Sequence, residues 1–393
     1  MSASISCPSI RICGRFFWKG DDRFFVRGVA YQLHSTLDPI SDAHLAEVRE
    51  DVFLFKELGL NTLFIYCIDN TKDHTRVMKL LEEAGIYVFM AVSTPLNSIN
   101  RLAPTKSYNP DTMASFFKTV DTMAKFPNTL GVLAGNELIN NDATLPVAAV
   151  LKAVVRDLKK HMKLQNEACG QRILPIGYNA ATSGARDKEV LEYLTVGEDH
   201  ISIDFWTCKN YDLKGLSDVT RLEYDDLLHR FTNTCIPIFL SEYGNNSQKP
   251  RLFQETTTLY SSAMSRVFSG GCVYEFWQNT NGYGLVEMPK HRGDKQIPAH
   301  KQNSESDSLI YERRETDRGV LLILRDFVNY KTRLAEIGDI EVEIDEESTE
   351  KKKEKQETGT EAIGGWQANL HVPESCVDWV SIKGSFERMK FLW

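Results

Sequence analysis

The feature that most limits what this chain can fold into is a repeated alternation. A short apolar run is followed by a stretch with helical periodicity, over and over, for roughly 300 residues. Residues 14–32 (GRFFWKGDDRFFVRGVAYQ) read as a hairpin over Gly-Asp-Asp that leads into a first strand. Further strands are expected at 62–68 (TLFIYCI), 87–93 (YVFMAVS), 130–137, 173–180 (ILPIGYNA), 201–206, 236–243 and 272–277. Helical patterns at 43–58, 73–84, 110–126, 147–164, 187–195, 221–232 and 252–268 separate them. Strands that alternate with helices in this way predict a parallel sheet, and eight of them predict a (β/α)8 TIM barrel. A doubly wound open sheet is the competing architecture. No Gly-rich phosphate loop follows the first strand, which counts against a dinucleotide-binding version.

Two of the apolar runs end in a carboxylate. One is Leu133-Ala134-Gly135-Asn136-Glu137, the other Ile238-Phe239-Leu240-Ser241-Glu242-Tyr243-Gly244. The C-terminal ends of barrel strands are where such enzymes keep their reactive groups. Either glutamate alone reads as an ordinary loop residue. Glu242 stands 105 positions after Glu137, three repeats on, so the pair falls on strands four and seven across the barrel mouth. Two carboxylates facing each other are the minimal apparatus of retaining glycoside chemistry, with one acid/base and one nucleophile about 5–5.5 Å apart.

The net charge of −8 disfavours nucleic acid as a partner. Eight cysteines are scattered, without the spacing of a zinc site, so no structural metal is expected. The opening MSASISCPSIRICGRFF lacks the apolar core of a secretory signal, and the closing SFERMKFLW lacks the apolar tail of a lipid-anchor signal. The expected organisation is a barrel domain over 14–335 with a polar surface insertion at 288–319. A charged, disordered linker is expected at 336–363 and a tail of unassigned role at 364–393.

At these residues the chain resembles the fungal β-1,3-glucanosyltransferases of glycoside hydrolase family 72. The matching motifs are GVAYQ (28–32), DPISD (38–42), KELGLNTLFIY (56–66), KLLEEAGIYVF (79–89), SIN (98–100), AGNELINN (134–141), IPIFLSEYG (236–244), FSGGCVYEF (268–276) and NGYGLVE (281–287). The resemblance implies a cell-surface enzyme that cleaves internal β-1,3-glucan bonds and joins the new end to another glucan. Its partners would be donor and acceptor glucan chains, with no metal and no cofactor. It also implies roles: Glu137 as acid/base, Asn136 on the substrate's 2-hydroxyl, Glu242 as nucleophile, and Gln32, Tyr66 and Tyr274 at the donor site. Oligomeric state is left open, as is location, because the chain as given shows neither signal nor anchor.

The chain also departs from its family. Phe64 stands where the family usually has Arg, Ala91 where it has Asp, and Phe205 at a tyrosine position beside an insertion at 209–220. Val48 and Val77 replace a cysteine pair, and Asn245 replaces a further cysteine, which leaves Cys208 or Cys235 without an evident partner. Losing the arginine should raise the nucleophile's pKa and weaken catalysis. Restoring it by Phe64→Arg with Ala91→Asp should raise turnover at least tenfold.

Overall fold

The computed structural model describes residues 7–33, 36–94, 96–181, 186–212, 218–288, 307–338, 340 and 370–390. Three short strands open the chain as an antiparallel sheet: β1 (Arg11–Cys13), β2 (Phe16–Lys19) and β3 (Asp22–Phe24). Gly20 makes the tight turn between the last two, with φ +63°, a conformation costly for any residue with a Cβ.

Eight parallel strands then close into a barrel in chain order. They are β4 (Val26–Ala30), β5 (Thr62–Ile65), β6 (Tyr87–Ala91), β7 (Thr129–Asn136), β8 (Ile176–Ala180), β9 (Phe205–Asn210), β10 (Ile238–Tyr243) and β11 (Phe268–Val273). The helices of the outer layer are α1 (Leu45–Leu58), α2 (Thr75–Glu83), α3 (Pro104–Ser107), α4 (Pro110–Met123), α5 (Val147–Cys169), α6 (Asp187–Thr195), α7 (Asp218–Phe231), α8 (Gln254–Leu259) and α9 (Ser262–Ser265). The expected TIM barrel is the observed fold. The single helix expected at 252–268 is two short ones, α8 and α9, broken at Tyr260 and Ser261.

The barrel interior is filled by rings. Phe64 stacks on Phe89 with centroids 4.6 Å apart, and Phe89 meets Phe239 edge-on at 5.1 Å. Phe205 lies 6.0 Å from both Phe239 and Phe17, so β2 plugs the end where the strands begin. Gly177 makes room for this plug, since a Cβ there would lie 2.3 Å from the Phe205 ring. This filling is a packed core and not a channel, as the fold requires.

After the barrel, β12 (Val286–Glu287), β13 (Ile310–Thr316) and β14 (Gly319–Leu324) form a small antiparallel sheet in the order β12-β14-β13. Helix α10 (Arg325–Ala335) follows and returns to the barrel, where the Tyr330 hydroxyl donates to the Gly28 carbonyl at 2.9 Å. The described part of the expected polar insertion therefore pairs as a strand, because Leu321 and Ile323 bury one face of β14 in the main core while Leu322 and Leu324 pack with Ile310 on the other. Residues 289–306 of that insertion, 339 and 341–363 of the expected linker, and 364–369 and 391–393 of the tail lie outside the described residues. Helix α11 (Trp379–Lys390) packs on α5. Among the described residues no helix is long and apolar enough to cross a membrane.

Candidate functional site

Every candidate site residue falls at the C-terminal end of a barrel strand or just beyond it. Gln32 follows β4, Tyr66 follows β5, Glu137 follows β7, Glu242 ends β10 and Tyr274 follows β11. Parallel strands deliver these ends to one face, so residues as far apart in sequence as Gln32 and Tyr274 meet there. Glu137 has φ +54°, left-handed for a residue with a side chain. Its N–H donates to the Asn179 carbonyl at 2.8 Å, which helps hold a backbone that costs about 1–3 kcal/mol.

Glu242 is 1% exposed and fully partnered. The Tyr66 hydroxyl donates to its Oε1 at 2.5 Å and the Tyr211 hydroxyl to its Oε2 at 2.6 Å. The Lys209 ammonium pairs with Glu242 Oε1 at 3.0 Å and also with Glu137 Oε1. Both carboxylates thus share one cation. Their nearest oxygens can then be no more than about two charge-assisted hydrogen bonds apart, roughly 6 Å. That matches a retaining pair and falls short of the ~6.5–9.5 Å of an inverting one.

The surrounding groups keep their protons. Burial, and then the charge of Glu242, push the phenols of Tyr66 and Tyr211 well above the ordinary tyrosine range, so both stay hydrogen-bond donors. Burial and the nearby carboxylates also push Tyr274 up to about 12. For Lys209, burial disfavours the charge, but Glu242 and Glu137 outweigh it and the pKa is raised. The ammonium is therefore charged at neutral pH.

Asn136 is fixed by a chain of hydrogen bonds through four strands, β7 to β10. Thr207 and Ser241 donate to Asn179 Oδ1 at 2.7 and 2.6 Å, and Asn179 Nδ2 donates to Asn136 Oδ1 at 2.6 Å. The Asn136 carbonyl oxygen is thereby engaged, and its NH2 is the group it can offer. A groove of about 480 Å³ opens beside it, lined by Ser93, Asn100, Arg101, Leu102 and Leu138. On the other side Tyr211, Tyr274 and Tyr283 cluster edge to face, with centroids 5.3–6.2 Å apart. Gln32 donates to Glu275 Oε2 at 3.3 Å. Among the described residues no group of three or more His, Cys, Asp or Glu side chains could hold a metal.

The structure brings together all six residues singled out from the sequence. It corrects the expected departures beside Glu242. Phe64, Ala91 and Phe205 are buried in the barrel interior, and the Phe64 ring lies 4.5 Å from that of Tyr66. The cation missing at position 64 is supplied by Lys209, so the expected loss of charge support for the nucleophile does not hold. A tyrosine hydroxyl does reach Glu242, from Tyr211 and not from position 205. The sequence hides both, because its apolar pattern puts the sixth strand at 201–206 and makes 209–220 look like an insertion. Residues Asp199–Ile201 form a helical turn instead, and β9 runs on to Asn210. The signal was there: Phe-Trp-Thr-Cys-Lys-Asn-Tyr is one more apolar run that ends in chemistry. Val48 and Val77 are both fully buried in the packed helices α1 and α2, and Cys208 and Cys235 are buried as free thiols.

The model of a family described as glucanosyltransferase, glycoside hydrolase family 72, matches residues 1–307. The chain is 41% identical to the 1,3-beta-glucanosyltransferase PGA4 of Candida albicans, over 73% of this chain and 64% of that protein. It is 41% identical to the 1,3-beta-glucanosyltransferase gel1 of Aspergillus fumigatus, over 73% of this chain and 65% of that one. The chain thus spans just under two thirds of the length of these relatives. Its structure superposes on Saccharomyces cerevisiae Gas2p in complex with laminaritriose and laminaritetraose with a TM-score of 0.77, at 29% identity, covering 96% of this chain and 79% of that one.

Proposed function

The chain belongs to the glucanosyltransferase family, glycoside hydrolase family 72, and from that premise we propose that it is a retaining β-1,3-glucan glucanosyltransferase. The observation that carries the proposal is the carboxylate pair of Glu137 and Glu242, bridged by one ammonium at the barrel mouth. The laminari-oligosaccharides held by Gas2p support β-1,3-glucan as the polymer.

In this reading Glu242 attacks the anomeric carbon of a donor sugar while Glu137 gives its proton to the departing glycosidic oxygen. The result is a glycosyl ester on Glu242 and a released glucan. An acceptor glucan hydroxyl then gives its proton to Glu137 and attacks the anomeric carbon, whose bond to the Glu242 oxygen breaks, which frees Glu242 as a carboxylate and forms the new glycosidic bond. Tyr66 and Tyr211 hold Glu242 in place for both steps. Asn136 donates its NH2 to the hydroxyl next to the reacting carbon, and Gln32, Tyr66 and Tyr274 line the donor sugar. Glu137 must be protonated to act as an acid, so in this reading donor glucan entering between the two carboxylates displaces Lys209 from Glu137 and leaves it on Glu242.

The test is incubation with reduced laminari-oligosaccharides and sizing of the products. Products longer than the substrate are expected. Shorter products alone would mean a hydrolase, and unchanged but bound substrate would mean a glucan-binding protein. Glu242→Gln should lose at least a thousandfold in turnover while folding normally. Glu137→Ala should be severely impaired, with partial recovery of the second step by azide. Activity at the parent level in either variant would remove that residue from its role.

A further inference from the structure

We propose that Glu275 is a positioning residue of the donor site, whose carboxylate dictates which end of the Gln32 amide faces the sugar. The inference rests on the glucan-binding reading above and goes beyond it, because Glu275 belongs to no motif role considered so far.

Glu275 follows Tyr274 past the end of β11 and is 1% exposed. Its Oε2 accepts from Gln32 Nε2 at 3.3 Å and from Asn279 Nδ2 at 3.1 Å. A carboxylate can only accept. With one N–H of its NH2 committed to Glu275 and the Tyr274 hydroxyl within hydrogen-bond reach of the same side chain, Gln32 keeps its carbonyl oxygen as the end it presents to the cleft, where a sugar hydroxyl would donate to it. A neutral amide at position 275 would impose no such choice, since it can face Gln32 with either end.

Two further observations separate this carboxylate from one that merely holds the fold. Glu275 Oε1 is buried and has no hydrogen-bond partner among the described residues. No cation pairs with it there either. Arg251 acts on it only at a distance, because its N–H groups go to Asp326 and to the carbonyls of Gly244, Tyr274, Tyr283 and Gly284. A buried, under-satisfied carboxylate is costly, and such groups concentrate where function needs them. Burial pushes its pKa up and the charge of Glu242 adds to this, against Asn279, Asn281 and Arg251.

The experiment measures laminaripentaose affinity by calorimetry, and kcat/KM on the reduced oligosaccharide, for the parent, Glu275→Gln, Gln32→Ala and the double variant. Each single change is expected to lower affinity and kcat/KM about tenfold, the worth of one oriented hydrogen bond. The double variant should be no worse than Gln32→Ala, since Glu275 acts only through Gln32. The pH profile supplies a readout that a purely structural role would not move. In the parent, part of the acidic limb is protonation of Glu275, whose titratable and charged neighbours are Glu242, Tyr274 and Arg251. That part should be missing in Glu275→Gln. If this variant does not fold, Gln32→Glu tests the converse: two carboxylates then meet, and glucan affinity should recover only as pH falls.

Additive losses, an unchanged Glu275→Gln, or pH-independent binding by Gln32→Glu would overturn the proposal. A parent that binds laminaripentaose but never lengthens it ends the transferase reading and leaves this one standing. A parent that lengthens glucan while the two losses add ends this one alone. A parent that binds no laminaripentaose ends both.

Discussion

Lys209 is the residue on which the electrostatics of the site turn. One ammonium neutralises part of the charge of two facing carboxylates, which would otherwise repel each other. Lys209→Met should therefore lower kcat/KM about ten- to a hundredfold, or roughly 1.4–2.7 kcal/mol. Lys209→Arg should restore part of it. A methionine variant with the parent's kcat/KM would show the bridge to be dispensable. The same cation reverses what the sequence suggested for position 64. Phe64 is fully buried and stacked on Phe89. An arginine there would be a second cation without an acidic partner inside an aromatic core. Phe64→Arg should thus cost about 3–5 kcal/mol of stability and bring no gain in turnover. A well-folded, faster variant would sink this account.

Helix α8 carries a titration that the fold itself creates. Glu255 is 6% exposed, and burial raises its pKa from 4.5 to about 7, only partly opposed by Arg251 and Arg333. Between these two pH values the folded protein holds a proton that the unfolded chain has released. Stability contributed by this group is therefore full below pH 4.5 and falls as pH rises towards 7. Glu255→Gln should remove that slope and make the protein more stable than its parent at pH 8, by about 3 kcal/mol. Thermal melts of the two proteins from pH 4.5 to 8 read this directly, and curves that stay parallel throughout would refute it.

At the scale of the whole molecule, the described part of the C-terminal segment, residues 370–390, is tied to the outer helices. Arg156 donates to the Pro373 carbonyl and Ser375 to Asp157 Oδ2, both at 2.8 Å. The Trp379 ring lies 5.9 Å from that of Phe117, with the Lys160 ammonium 4.2 Å from its centre. These contacts fall on α4 and α5, away from the strand ends. Changing Ser375 and Trp379 together to Ala should lower Tm by roughly 4–8 °C, the equivalent of about 2 kcal/mol. Turnover of glucan should stay at the parent level. An unchanged Tm would mean that the segment rests on the barrel without supporting it, and a loss of turnover at intact Tm would mean that it reaches the site.

The sequence alone was enough for the eight-strand alternation, for the placement of Glu137 and Glu242 at strand ends, and for the pairing of Asn136, Gln32, Tyr66 and Tyr274 with them. All of this is local information, a periodicity and a carboxylate at the end of an apolar run, and motif order carried the rest. Only the tertiary structure decided what surrounds the pair. Whether Phe64 faces the site or the core depends on the tilt of the strands and on which rings fill the barrel, both of which are set by all eight strands together. Lys209 reaches both glutamates only because β9 runs four residues beyond its expected end, and a charged residue after an apolar run does not reveal which carboxylates it will meet. Glu275 was likewise invisible, since a glutamate between Tyr274 and Phe276 looks like any other until the loop after β11 folds it against Gln32 and buries it.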